Sequence, residues 1–78
     1  MKTIQIKAPD FFELLKLKET SMWDIFSQMI DGEEKHIIFL NSENAPIFSY
    51  TLPKTLEKLH KDREVFSVEF QKKIQQNW

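Results

Sequence analysis

Residues 2–7, Lys-Thr-Ile-Gln-Ile-Lys, alternate polar and apolar side chains. An extended chain turns successive side chains to opposite faces, so this segment predicts a short strand with Ile4 and Ile6 on one side. Pro9 and Asp10 suit a helix start, proline because its missing N–H is not needed there and the acid because it meets the positive end of the dipole. Phe11, Phe12, Leu14 and Leu15 follow at helical spacing. Leu15 to Lys18 also alternate, so the stretch 14–19 fits a helix or a strand. Ser21 and Asp24 have the spacing of an N-cap. Met22, Trp23, Ile25, Phe26, Met29 and Ile30 then recur on one helical side, predicting a helix over 21–31. The chain's only glycine, Gly32, is expected to serve as its C-cap.

Residues 35–41 read as a buried strand, Ser42 to Pro46 as a turn, and 47–51 as a second strand, so 35–51 predict an antiparallel hairpin. Pro53 opens another helix whose buried side carries Leu52, Leu56 and Leu59. The last segment fits two patterns. Phe66, Val68 and Phe70 alternate as in a strand over 64–70, whereas Phe66, Phe70, Ile74 and Trp78 recur every four residues as in a helix. The expected fold is therefore α+β: one small domain over 1–78, of order β-α-β-β-α and then β or α, an antiparallel hairpin with helices on one face. Residues 64–78 form either a partner-binding arm or an edge strand. With a strand there, the order matches a ferredoxin-like split βαβ.

Composition narrows the functional classes. A chain of 78 residues supports one core, and without cysteine it has neither disulfides nor thiolate chemistry. Oligomerisation or a permanent partner is the remaining way to add stability, and seven Phe, two Trp and one Tyr are a heavy aromatic load for one small core. The net charge of −1 provides no global field for nucleic acid or membrane. Residues 1–52 hold five lysines against eight acids, while residues 53–78 hold five lysines and an arginine against four acids. A polyanion would meet the second part. The longest apolar run is Ile37–Leu40, and the first residues lack a basic stretch followed by an apolar one. The expectation is a cytoplasmic protein with no membrane partner.

One glycine cannot build a phosphate-binding loop or a dinucleotide turn. His36 and His60 fall on different elements without metal-ligand spacing, and no serine stands in a nucleophile elbow. The chain reads as a non-enzyme with no cofactor and no metal. Two sets of residues remain as candidates. Phe66, Phe70, Ile74 and Trp78 form a stripe that fits a partner groove, since aromatic anchors dominate interfaces. Lys54, Lys58, Lys61, Lys72 and Lys73 form a basic set suited to phosphate contact, or to an ordinary solvated face.

The run Met29 to Phe39, then Asn44-Ala45-Pro46-Ile47-Phe48-Ser49-Tyr50-Thr51-Leu52, then Lys54 to Leu59, resembles the Phd/YefM antitoxin family. That family has an N-terminal strand, a helix ending in a Gly-Glu pair, a hairpin with proline entering its second strand, and a following helix. Gly32-Glu33 and Pro46 stand at those places here. The resemblance covers 1–62 in outline and 29–59 in detail. It implies a homodimer whose N-terminal part binds operator DNA, with Lys16 and Lys18 as candidate phosphate contacts. It also implies a C-terminal segment that folds onto a small toxin. The segment before Gly32 is longer than the family's and lacks its arginine. A second pattern, Trp23-Asp24-Ile25-Phe26, the hairpin, Thr55 to Leu59 and Val65-Phe66-Ser67-Val68, resembles a LytTR-type DNA-binding domain. The His-Arg-Ser segment expected there is replaced by Glu69-Phe70-Gln71.

The leading expectation is a small protein that occludes a protein partner through its C-terminal aromatics, the partner being a small toxin. DNA is a candidate second partner. A ferredoxin-like oligomer that binds a small ligand or acts as a structural subunit, and a phage-type inhibitor of a host enzyme, are the competing readings.

Overall fold

The computed structural model of the chain describes residues 2–63 and residue 72. Its elements are β1 (Lys2–Lys7), α1 (Ala8–Leu17), α2 (Met22–Met29), β2 (Lys35–Leu40) and β3 (Pro46–Leu52). A third helix, α3, starts at residue 56 and continues through 63. The order β-α-α-β-β-α makes one small α+β domain. Its sheet has the order β1-β2-β3. β1 runs parallel to β2, with Ile4 opposite Ile37 and Ile6 opposite Phe39. β2 and β3 are the predicted antiparallel hairpin, with Lys35 opposite Leu52 and Phe39 opposite Phe48. Parallel neighbours need a long crossover, and α1 with α2 provides it.

The direct pairing of β1 with β2 departs from a split βαβ, in which another strand separates the two parallel ones. Residues 64–78, and with them the strand reading of 64–70, lie outside the described residues.

The helix boundaries differ from the sequence pattern in an instructive way. α1 takes in Leu14 to Leu17, which settles the ambiguous stretch as helix. It ends at the Lys18 C-cap with Glu19 at φ 51°. The Glu19 N–H donates to the Lys16 carbonyl and the Thr20 N–H to the Leu15 carbonyl, at 3.2 and 3.0 Å. This is a Schellman closure with a glutamate where glycine is usual. α2 is capped as expected, the Ser21 hydroxyl accepting from the Asp24 N–H at 3.1 Å. It stops at Met29, because Ile30 is already extended. Gly32 is therefore not a C-cap. It lies in the loop after α2 at φ 90°, where the Asp31 carboxylate accepts from the Glu33 N–H. At α3 the Thr55 hydroxyl accepts from the Lys58 N–H at 3.3 Å, an N-cap placed just after Pro53.

All three helices cover one face of the sheet. Ile37, Phe39, Tyr50 and Leu52 alternate onto that face and meet Phe11, Leu15, Met22, Trp23, Phe26 and Leu59. The centre is aromatic. Phe26 stacks on Tyr50 at 5.9 Å between ring centroids, and Trp23 meets Phe26 edge-on at 5.8 Å. Phe11 lies 6.0 Å from Phe39. Each fully buried apolar side chain contributes about 1.5–3 kcal/mol, and favourable ring pairs add about 0.5–1.5 kcal/mol. Much of the aromatic load thus packs the core, and α2 uses Met22, Trp23 and Phe26 for packing.

Candidate functional site

One end of the domain gathers the start of β1, the α2–β2 loop, the end of β3 and the start of α3. Parallel strands bring Lys2 opposite Lys35, and the hairpin brings Leu52 to the same row. Lys54 follows two residues on. Two adjoining shallow depressions open here. One, of about 410 Å³, is lined by Lys2, Gly32, Glu33, Glu34 and Lys54. The other, of about 560 Å³, shares Glu34 and Lys54 and adds Thr51, Thr55, Lys58 and Asp62 among its walls.

The charges in this surface are mixed. Lys58 Nζ is 2.6 Å from Asp62 Oδ1, and Asp62 Oδ2 accepts from the Tyr50 hydroxyl at 2.9 Å. The Tyr50 phenol is pushed above its ordinary pKa, first by burial and then by the hydrogen bond to Asp62 and its charge. Lys35 is buried, with Nζ 2.7 Å from Asp31 Oδ1 and 2.7 Å from the Met29 carbonyl. The Asp31 carboxyl is held below the usual range chiefly by that hydrogen bond from Lys35, helped by the Glu33 N–H. These two clusters are structural ties: one fixes α3 to the sheet and the other fixes the loop before β2.

Of the basic set, Lys54 and Lys58 come together on this end, beside the acids Glu34 and Asp62. Lys61 faces Glu57 on α3 at 3.8 Å. Lys16 and Lys18 belong to α1 and its C-cap and line neither depression. Lys72 is an exposed helical residue. Lys73, Phe66, Phe70, Ile74 and Trp78 lie outside the described residues. Among the described residues, no group of three or more His, Cys, Asp or Glu side chains could hold a metal. Within the same residues, no helix is long and apolar enough to cross a membrane.

Sequence reasoning overlooked Lys2, Lys35 and the Tyr50–Asp62 pair. Strand parity was a usable signal for Lys35, which shares a face with Ile37 and Phe39. Nothing local links Tyr50 to Asp62, because that contact joins two elements. Comparison with known families, curated proteins and solved structures finds no match.

Proposed function

We propose that this chain is a non-enzymatic binding protein of the cytoplasm, antitoxin-like, that blocks a small protein partner by inserting C-terminal aromatics into it. The observation that supports this reading is the element order. A strand, helical segments, a hairpin whose second strand opens on Pro46, and a following helix come in the order that the Phd/YefM resemblance implies, although α2 stops at Met29 and leaves Gly32-Glu33 in the loop instead of at a helix end. The proposed anchors are Phe66, Phe70, Ile74 and Trp78. The protein acts as a homodimer. Any contact with DNA uses lysines such as Lys54 against phosphates, in a surface that Glu33 and Glu34 make weakly attractive to a polyanion.

The test is capture from nuclease-treated lysate of the source cells with the tagged full chain and its Phe66→Ala/Phe70→Ala variant. Both are first shown to have the same melting temperature. Hot-spot anchors cost about 2–4 kcal/mol each on truncation, enough to lose a partner from the beads. One small protein retained by the intact chain and lost by the variant is the expected result. A large enzyme in its place favours the inhibitor reading. Equal retention by both chains sinks the mechanism.

A further inference from the structure

We propose that Phe66 and Phe70 dock on this chain's own sheet in the free protein, an autoinhibitory contact that a partner has to displace. The docking stands on the geometry of α3 and β3. Only its effect on capture rests on the occluding role proposed above.

α3 retraces β3 along the covered face. β3 ends at Leu52, yet Asp62, well beyond it in sequence, is back beside Tyr50, its Oδ2 accepting from the Tyr50 hydroxyl at 2.9 Å. Leu59, on the same helix, is buried in the core under that face. The next residue of β3 on the covered face is Phe48, half-buried and opposite Phe39. Two residues of strand span about 6.8 Å, and four residues of helix advance about 6 Å. Four residues beyond Asp62 stands Phe66, which a continued α3 brings level with Phe48.

The phase of the helix agrees. At about 100° per residue, Phe66 and Phe70 fall within about 20° of Leu59 around the axis, whereas Lys72 falls about 140° away. Lys72 is helical and exposed. A helix that keeps the phase of Leu59 thus turns both rings to the sheet and the lysine to water. Phe70, one turn after Phe66, reaches the end of the sheet where β3 opens on Pro46, β1 gives way to α1 and Phe12 packs half-buried against the core. The same phase sets Val68 about 180° from Leu59, facing outward. A strand over 64–70 puts Val68 on the side of Phe66 instead, so this one residue separates the two arrangements. A partner that takes the anchors competes with the sheet, and its apparent affinity falls in proportion to the fraction of chains that are undocked.

Because the chain has no cysteine, single thiols report each position. In the isolated full-length chain, Phe66→Cys should react with an aromatic disulfide reagent roughly tenfold more slowly than Val68→Cys or Lys72→Cys, because it reacts only when the segment lifts off. That rate should not depend on protein concentration. Adding Phe70→Ala to Phe66→Cys should speed labelling several-fold and leave amide exchange at Ile37 unchanged. In the unsubstituted chain, amides over 64–71 should exchange as slowly as those around Leu59; exchange at the rate of a solvated chain overturns the proposal. So do equal labelling rates at 66 and 68, both slow for a strand or both fast for a segment in water. Protection at 66 that grows with protein concentration overturns it as well, because a second copy then supplies the cover. If the thiol at 66 is protected and lysate yields no partner, the docking holds and the occluding role fails. If a partner is captured and that thiol is unprotected, the docking alone fails.

Discussion

The two faces of the sheet are built from alternate residues of the same strands, yet they carry very different loads. On the covered face, Ile37, Phe39, Tyr50 and Leu52 meet the helices and lose nearly all contact with water. On the other face, His36, Ile38 and Leu40 of β2 are half-buried, flanked by exposed Thr3, Gln5 and Lys7 on one side and Ser49 and Thr51 on the other. Adjacent residues on one strand can therefore differ several-fold in what they contribute. Phe39→Ala should cost about 3–5 kcal/mol, the usual range for an emptied aromatic site. That approaches the whole stability of a domain this small, so urea unfolding should show a collapsed or absent transition. Ile38→Ala should cost under about 1 kcal/mol, because its side chain keeps contact with water. Equal losses at the two positions would mean that the open face is covered in solution.

Among the described residues, the covered face also buries one charge, and its cost is a finer probe of the same contrast. Lys35 lies in the buried row, 7% exposed, with its stem along the core and its ammonium held by the Met29 carbonyl and Asp31. Lys35→Met keeps the stem and loses the bonds, at about 1–2 kcal/mol; Lys35→Ala should cost more because packing goes as well. Acid titration separates the two effects. The folded-state pKa of Asp31 is depressed, so its contribution is present above the ordinary carboxylate value of about 3.9 and is lost as pH falls through the folded value. Lys35→Met should flatten that acid limb in circular-dichroism melts, and an unchanged limb would rule out the tie.

The strands, the hairpin and the capped start of α2 were legible because each rests on neighbours in sequence: the alternation at Ile4 and Ile6, the Ser21 hydroxyl three residues before Asp24. The end of α1 was not. Its closing residue is Glu19, and nothing in the composition marks a glutamate as left-handed. Gly32, which did carry the signal, instead serves a loop. The parallel pairing of β1 with β2 was hidden too, since it joins segments separated by two helices. The candidate site fared similarly. The lysines on α3 could be grouped by helical spacing, but whether an acid stands beside them depends on tertiary placement, as Asp62 beside Lys58 and Tyr50 shows.

The smallest expected effect tests that placement directly. Tyr50 is the chain's only tyrosine, so phenolate absorbance reports one group. Burial, the hydrogen bond to Asp62 and the Asp62 charge all raise its pKa, and it should ionise above the ordinary value of about 10. A raised folded pKa gives stability that is present below the unfolded value and disappears as pH rises through the folded one. Asp62→Asn removes the charge and leaves the burial, so the phenol should move part of the way back. Tyr50→Phe should cost about 1 kcal/mol at neutral pH, the net worth of one hydrogen bond, with the aromatic stack on Phe26 retained. If Asp62→Asn leaves the titration unchanged, the phenol is raised by burial alone. α3 would then be held by Leu59 in the covered face, without a polar latch to the sheet.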